Sequence, residues 1–379
     1  MRSSLRILIL AVAVGLVAGA LYARQSSDGP YKVLKTARVG GEGGWDYIYA
    51  DVAGRRIYIP RNGSRAVPAT DTMPARAAVP GRISVYNLDT LALIGEIPDT
   101  GGQGVAVDTK SGHGFSSSNP ITMFDTKTLK VIKKIDPGTA RPDGIYGDSS
   151  DGRIYIFSHP TKNATVIDAG TGNVVGTIDL GGTPEEAVGD GKGTLYVVMQ
   201  DRPGGVAVVD EKAMKTVAHY PFGDNGGCNG LALDVKNHVL FAACSAVGPA
   251  PARGAGGPPP ASQPQMVILS ATDGKILTKL PLAGGSDGAV FNPATMEAFS
   301  THGNGTLTIV KESSPTSFAV EENLNTMNGA RTITLDRKSG HIYTMSQEFG
   351  PAMAPAMPGG RGRRGPAVPG SFTILEIGK

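Results

Sequence analysis

Short apolar runs, each closed by a polar residue, recur along almost the whole chain. The most regular run ends in Asp or Asn and occurs seven times, at 46–51, 103–108, 143–148, 185–190, 229–234, 287–292 and 331–336. Four of the spacings between copies are 40 to 44 residues, and the other two are 57 and 58 residues. A period of this length predicts one structural unit repeated along the chain.

Each copy is followed by further apolar runs, which predict three more strands per unit. Examples are GRIYIF for the second strand, ATVID for the third and VVGTI for the fourth. Only six fourth strands follow this order, and the seventh is VLKTA at 33–37, before the first copy. We therefore predict an all-β, seven-bladed β-propeller of four-stranded blades over residues 31–379, closed by the N-terminal strand pairing with the C-terminal blade. Closure would leave no unpaired edge at the junction.

The repeat unit at 152–185 reads GRIYIFSHPTKNATVIDAGTGNVVGTIDLGGTPE. Its aromatic second strand, Ile-Asp ending and Thr/Gly turn resemble those of the YVTN-repeat (YncE-like) β-propellers, a family of secreted bacterial proteins within the WD40-like repeat superfamily. The Asn-Gly that this family places after the second strand is present as Asn62-Gly63 but is replaced elsewhere, for example by Ser158-His159. The resemblance implies a fold and an exported protein, but no particular activity, because many functions occur on propellers.

The N-terminus has the pattern of a secretory signal peptide over residues 1–23. Arg2 and Arg6 precede an uncharged apolar run, 7–21, which is followed by small residues. The run is short for a membrane-spanning helix, although an uncleaved N-terminal anchor is the alternative. No second long apolar run follows, so we expect a periplasmic or extracellular protein with no transmembrane domain after cleavage.

The net charge and the two cysteines indicate which partners and which covalent cross-link to expect. The formal net charge of +3 over 379 residues gives no reason to expect a nucleic-acid partner. We expect a monomer whose partner is a small molecule, a peptide or a component of the cell envelope. The two cysteines are Cys228 and Cys244. Pairing Leu233 with Val239 across a hairpin puts them opposite each other, which predicts a disulfide in an oxidising compartment.

A polar residue stands five places before the end of each of the seven inner strands. These residues should ring one mouth of the central channel; they are Asp46, Gln103, Asp143, Glu185, Asn229, Asp287 and Arg331. The second strands end at the same mouth and should add Arg61, His159, Gln200 and His302. We predict a polar ligand-binding pocket there. The alternative is that residues such as Asp143 only begin turns.

Blade order predicts which of these acids are free to bind a cation. Arg331 lies between Asp287 and Asp46 and could pair with either. Asp143 and Glu185 have no basic neighbour in the ring, so each should raise the pKa of the other. A divalent cation would relieve this repulsion, with Asn229 and His159 as neighbouring ligands. Ligation by oxygen alone would favour Ca²⁺, whereas use of His159 would favour a transition metal. A water-filled channel is the alternative.

No sequence motif identifies a catalytic nucleophile or a cofactor. We therefore expect a secreted, non-catalytic binding module that presents the channel mouth to a ligand or a cell-surface partner. The alternative is a lactonase-like hydrolase, with or without a metal, in which Asp143, Glu185 and His159 would act. A purely structural surface protein is a third possibility.

Three Pro/Gly/Ala-rich segments interrupt the repeat, at 64–80, 247–264 and 351–370. This composition predicts flexible loops. Each segment follows a second strand and precedes a third, so all three should lie on the mouth face. The third contains Arg361, Arg363 and Arg364, which could attract an anionic partner.

Overall fold

The computed structural model describes residues 29–379, except 67, 70–74, 76, 149, 249–262 and 352–364. The described residues form 28 strands and no helix. The strands make seven four-stranded sheets, and every pairing is antiparallel. The predicted all-β, seven-bladed propeller is thereby confirmed. The predicted signal peptide, 1–23, lies outside the described residues.

Strands are numbered along the chain, and those of each blade are given in order from the innermost to the outermost strand. Blades 1 to 3 comprise β2 (Tyr49–Asp51), β3 (Arg56–Arg61), β4 (Arg82–Asn87) and β5 (Leu93–Pro98); β6 (Val105–Asp108), β7 (His113–Ser116), β8 (Ile121–Asp125) and β9 (Val131–Ile135); and β10 (Pro142–Asp148), β11 (Arg153–Ser158), β12 (Asn163–Asp168) and β13 (Val174–Asp179).

The remaining blades follow the same order until the last. Blades 4 to 6 comprise β14 (Pro184–Gly189), β15 (Thr194–Met199), β16 (Gly205–Asp210) and β17 (Lys215–Pro221); β18 (Asn225–Asp234), β19 (Val239–Val247), β20 (Gln265–Ser270) and β21 (Ile276–Pro281); and β22 (Ser286–Asn292), β23 (Glu297–His302), β24 (Thr306–Ser314) and β25 (Ser317–Asn325). Blade 7 comprises β26 (Ile333–Leu335), β27 (Ile342–Ser346), β28 (Thr373–Gly378) and β1 (Lys32–Arg38).

Blade 7 is closed by both ends of the chain, as the displaced VLKTA segment predicts. Strand β1 pairs with β28 from Lys32 opposite Gly378 to Arg38 opposite Thr373. Both ends also reach the fully buried Glu297 of blade 6. The Tyr31 hydroxyl donates a hydrogen bond to Glu297 Oε2, and Lys379 Nζ lies 2.8 Å from Glu297 Oε1. Blade 7 is therefore joined to blade 6 through the two chain ends.

The Asp or Asn that ends each inner strand is explained by the turn that follows it. Its side-chain oxygen accepts a hydrogen bond from a backbone N–H two or three residues later; the seven acceptors are Asp51, Asp108, Asp148, Asp190, Asp234, Asn292 and Asp336. Short acidic or amide side chains favour such turns because they replace a missing backbone partner. The regular repeat therefore marks the face opposite the predicted ring.

The apolar core lies between neighbouring blades. Second and third strands supply side chains with no exposure, such as Ile154, Phe241 and Ile309. Outer strands have one exposed face, where Leu93 and Val217 keep 58% and 57% of their surface. Burial of both faces of the middle strands explains their continuous apolar runs.

The structure contains a disulfide between Cys228 and Cys244, although the register used to predict it is wrong by one residue. Leu233 pairs with Leu240 rather than with Val239. A β-bulge between Cys228 and Gly230 takes up the extra residue and brings the two cysteines opposite each other. The sequence pattern does not reveal that bulge.

The predicted loops connect β3 to β4, β19 to β20 and β27 to β28, so each joins a second strand to a third. Residues 249–262 and 352–364 of these loops, with Arg361, Arg363 and Arg364, lie outside the described residues. The loop at 64–80 returns through a backbone pair between Ser64 and Val79.

Two buried pairs of acids join neighbouring blades on the face opposite the ring. Glu211 interacts with Asp148, and Glu312 interacts with Asp234. Burial, together with the neighbouring acids, raises the pKa of Glu211 to about 8 and that of Glu312 to about 7. No hydrogen-bond donor among the described residues reaches Asp148 Oδ2 or either carboxyl oxygen of Glu211. We therefore expect a proton to be shared within each pair, because it removes the repulsion between the two carboxylates.

We expect Glu211→Gln and Glu312→Gln to reduce the pH dependence of folding. A pKa raised above its ordinary value, 4.5, gives a stabilisation that is complete below that value. This stabilisation is lost as the pH rises through 7 to 8. In chemical denaturation, the free energy of unfolding of each variant should equal that of the wild type near pH 5. Near pH 8.5 it should exceed the wild-type value by on the order of 1–3 kcal/mol. The control is Glu42→Gln at an exposed position. Equal stabilities at the higher pH would contradict the shared proton.

Removing residues 31–38 should open the ring, because it deletes β1 and Tyr31. Given the marginal stability of folded chains, we expect the free energy of unfolding to fall by at least ~3 kcal/mol. Thermal and denaturant unfolding would measure the change, with a chain beginning at residue 30 as the control. Identical midpoints for the two chains would contradict a structural role for closure.

Candidate functional site

The ring residues are directed to the channel mouth by irregularities at the start of the inner strands. The pairing register shifts at four of the seven, which are Asp143, Glu185, Asn229 and Asp287. In blades 1, 2 and 7 the ring residue precedes the inner strand. A bulge re-aims the side chain it carries, and bulges are frequent beside functional sites.

One half of the ring is held together by Arg331. Its NH1 atom lies 2.7 Å from Asp287 Oδ2, and its NH2 atom lies 3.2 Å from Asp46 Oδ1. Gln103 Nε2 donates to Asp46 Oδ2 over 3.1 Å, and Asn62 Nδ2 donates to Gln103 Oε1 over 2.7 Å. Arg331 therefore pairs with both acids between which the sequence placed it.

The other half of the ring continues from Asp287 to Asp143. Asn229 Nδ2 donates to Asp287 Oδ1 over 2.7 Å, and Gln200 Nε2 lies 3.4 Å from Asn229 Oδ1. Gln200 Nε2 also donates to Glu185 Oε1 over 2.6 Å. The seven ring residues, with Gln200 and His159, thus form one continuous series of polar contacts. The series is open only between Asp143 and Gln103.

His159 lies between the two acids that have no basic ring neighbour. Its Nε2 atom is 2.9 Å from Asp143 Oδ2 and 3.2 Å from Glu185 Oε1. Interaction with Asp143 and then with Glu185 raises the pKa of His159 to about 10. The two acids therefore favour the protonated imidazole unless a metal replaces its proton.

Burial raises the pKa values of Asp46 and Glu185 more than the repulsion between the ring acids does. It raises the pKa of Asp46 to about 7, although the charge of Arg331 acts in the opposite direction. Burial also raises the pKa of Glu185, and the charge of Asp143 adds to this shift. The expected repulsion between Asp143 and Glu185 is therefore present at Glu185, but it is secondary to loss of solvent.

A cavity of about 350 Å³ opens beside the gap in the ring. Its wall is polar and is formed by blades 1 to 3; it includes Asn62, Gln103, Ser117, Arg141, Asp143 and His159. The volume falls in the range of small-molecule sites. This cavity therefore lies on the side of the ring where the series of polar contacts is open.

Two residues that the sequence assigned to the mouth lie elsewhere. His302 is fully buried within blade 6, where its Nε2 atom bonds Thr308 Oγ1 over 2.9 Å. Burial lowers the pKa of His302 to about 4, so the ring is neutral at pH 7. Arg61 is also fully buried, with its guanidinium carbon 3.7 Å from the centre of the Phe372 ring. The side chains of His302 and Arg61 turn into the protein at the end of their second strands, whereas that of His159 turns towards the ring acids.

Two further residues, which the sequence pattern did not indicate, also face the channel. Tyr47 donates its hydroxyl to Glu185 Oε2 over 3.0 Å across the channel. Glu186 accepts the backbone N–H groups of Leu231 and Ala289, at 2.8 and 3.0 Å, and thereby connects blade 4 to blades 5 and 6. Burial raises the pKa of Glu186 to about 8. Each directly follows a ring residue, and strict strand alternation would have turned it away from the channel.

No family model matches the chain, and no curated protein matches it. A chain in the crystal structure of a mitotic checkpoint complex is 10% identical with a TM-score of 0.64, over 90% of this chain and 96% of that chain. A chain of Kuenenia stuttgartiensis hydrazine synthase is 13% identical with a TM-score of 0.65, over 81% of this chain and 94% of that chain.

These likenesses support the seven-bladed propeller fold and nothing finer. At 10% and 13% identity they carry no information about activity, and they do not assign the chain to the YVTN-repeat family. Within the described part of the chain, no helix is long and apolar enough to cross a membrane.

We expect Arg331→Gln to destabilise the protein more at high pH than at low pH. Loss of the guanidinium leaves Asp46 and Asp287 without their cation, and it raises the pKa of Asp46 above 7. Because protonation removes the repulsion, the loss should be about 1 kcal/mol near pH 8.5 and smaller near pH 5. Denaturant unfolding at both pH values would measure it. Arg337→Gln, at an exposed arginine on the opposite face, is the control; equal losses in both variants would contradict the role of Arg331.

Proposed function

We propose that the protein is a secreted, non-catalytic binding module that holds a small polar ligand at the channel mouth. The observation that carries this proposal is the continuous series of polar contacts beside a cavity of about 350 Å³. Side chains from all seven blades contribute to that series. A rigid scaffold that converges many polar groups on one open space favours ligand binding.

Two features support export from the cytoplasm. The first 23 residues have the charge and hydropathy pattern of a signal peptide. The single disulfide, between Cys228 and Cys244, suits an oxidising compartment. A polar mouth exposed in the periplasm or outside the cell would meet small molecules, peptides and envelope components, and the cavity volume favours the first of these.

A lactonase-like hydrolase is the second candidate, and the contact of His159 with Asp143 and Glu185 favours it. Carboxylates beside an imidazole suit general acid–base chemistry or metal-assisted hydrolysis. The two neighbouring carboxylates raise the pKa of His159 and so favour its acid form, which would be a poor general base without a metal. For this reason we favour binding over metal-free acid–base catalysis.

The function can be tested by a thermal-shift screen of sugars, hydroxy acids, amino acids and lactones. We expect at least one compound to bind saturably, and Gln103→Leu to weaken it by tenfold or more because an amide on the cavity wall is lost. Lys338→Gln, at an exposed position on the opposite face, is the matched control and should bind as the wild type does.

Lactones in the same screen are followed by proton release at constant pH. Binding without turnover supports the binding module. Lactone turnover that is lost in His159→Ala would contradict the non-catalytic binding module and support the hydrolase. Absence of saturable binding by any compound, or equal binding by wild type and Gln103→Leu, would contradict a ligand site at this mouth.

A further inference from the structure

Three potential metal-ligating atoms from two neighbouring blades meet at the edge of the cavity. They are Asp143 Oδ2 on β10, His159 Nε2 after β11 and Glu185 Oε1 on β14, and all three lie within 4.8 Å of one another. Among the described residues this is the one group of three or more such side chains close enough to share an ion. Its members come from separate strands, so the fold and not local sequence brings them together.

The distances within this group suit a small cation. The nitrogen-to-oxygen separations are 2.9 and 3.2 Å. In a tetrahedral site with bonds of about 2.0–2.2 Å, neighbouring ligand atoms are roughly 3.3 Å apart. His159 Nε2 and each carboxylate oxygen would therefore move apart by only a few tenths of an ångström to admit an ion. A Ca²⁺ ion takes six to eight oxygen ligands at about 2.3–2.6 Å, which would require a larger expansion and more oxygens.

Neighbouring groups already orient the carboxylate of Glu185. Tyr47 donates to its Oε2 atom over 3.0 Å, and Gln200 donates to its Oε1 atom over 2.6 Å. Such outer hydrogen bonds fix ligand geometry in metal sites and reduce the cost of ordering on binding. The Oδ1 atom of Asn229, which the sequence offered as an oxygen ligand, instead lies 3.4 Å from Gln200 Nε2. The donor set therefore contains one nitrogen and two carboxylates.

The open side of this group faces the cavity. Asp143 and His159 both line it, and the exposed Arg141 lies on the same wall. Arg141 forms no ion pair with the described residues. A divalent ion would balance the two carboxylates, so the charge of Arg141 would remain for an incoming anion. A carboxylate in the cavity would then contact both the ion and Arg141.

We propose that Asp143, His159 and Glu185 bind one divalent transition-metal ion, with a coordination position open to the cavity for a small carboxylate. Nitrogen with carboxylate ligands suits Zn²⁺, Co²⁺ or Mn²⁺ better than Ca²⁺. Three protein ligands and one exchangeable position form the usual arrangement of a site that binds an outside molecule. The proposal deepens the proposed function, since it names the ion and the ligand class at the same mouth.

The first experiment titrates the metal-free, folded full chain with Zn²⁺, Co²⁺ and Ca²⁺ at pH 8, where protons compete less for the histidine. We expect one equivalent of Zn²⁺ or Co²⁺ by calorimetry and at least 100-fold weaker Ca²⁺ binding. His159→Ala and Glu185→Gln should each weaken Co²⁺ binding by 100-fold or more. Glu42→Gln changes an exposed carboxylate outside the ring and should bind as the wild type does.

The second experiment adds acetate to the Co²⁺-loaded protein and follows the visible absorption of the ion. We expect acetate to shift the bands saturably and Arg141→Gln to weaken this effect by tenfold or more. Circular dichroism and thermal unfolding establish that each variant is folded. The metal proposal is overturned if no stoichiometric ion binds, if Ca²⁺ binds most tightly, or if His159→Ala is without effect. An unchanged spectrum with acetate overturns the open position.

Failure here is distinguishable from failure of the proposed function. The thermal-shift screen is run on protein treated with chelator and on metal-loaded protein. If no ion binds but a ligand still depends on Gln103, the binding module stands and the metal site is wrong. If an ion binds but neither protein sample takes up a ligand, the metal site stands and the binding module is wrong.

Discussion

Antiparallel pairing of β1 with β28 is the constraint on which the rest of the structure depends. Each blade packs its apolar middle strands only against its two neighbours, so an open ring would leave one blade face in water. The chain meets this requirement by using its first described strand as the outer strand of its last blade. Tyr31 and Lys379 then reach the buried Glu297 of blade 6. Only a closed ring keeps seven inner-strand starts at fixed distances around one mouth.

Closure fixes where the inner strands begin, but irregular pairing determines what they present there. Bulges at Asp143, Glu185, Asn229 and Asp287 interrupt the alternation of side chains just before each regular strand. Their cost is a lost backbone pairing, and their effect is to direct polar side chains towards the channel. In blade 4 the bulge directs two consecutive acids inward, and Glu186 bonds the backbone of two other blades.

Periodicity predicts what is repeated, and the repeated parts of this protein are its strands, its turns and its closure. The turn-forming Asp at the end of each inner strand is a local interaction, so one sequence shows it directly. The bulge beside Cys228 is not visible in that pattern, and it shifted the register of the hairpin by one residue. The surroundings of His159 and His302 likewise depend on contacts that are distant in the sequence. Both follow or end a second strand, yet one contacts two ring acids and the other bonds Thr308 inside its blade.

The asymmetry of the mouth follows from how its charges are compensated. On one side Arg331 satisfies Asp46 and Asp287 with a permanent cation, so that half of the ring is closed by protein groups alone. On the other side, His159 is the basic side chain that pairs with Asp143 and Glu185 among the described residues, and its charge depends on a bound proton. A proton can be exchanged for a metal ion, whereas a guanidinium charge cannot. The half of the ring with the exchangeable charge is also the half beside the cavity, and for this reason we place the proposed ligand site there.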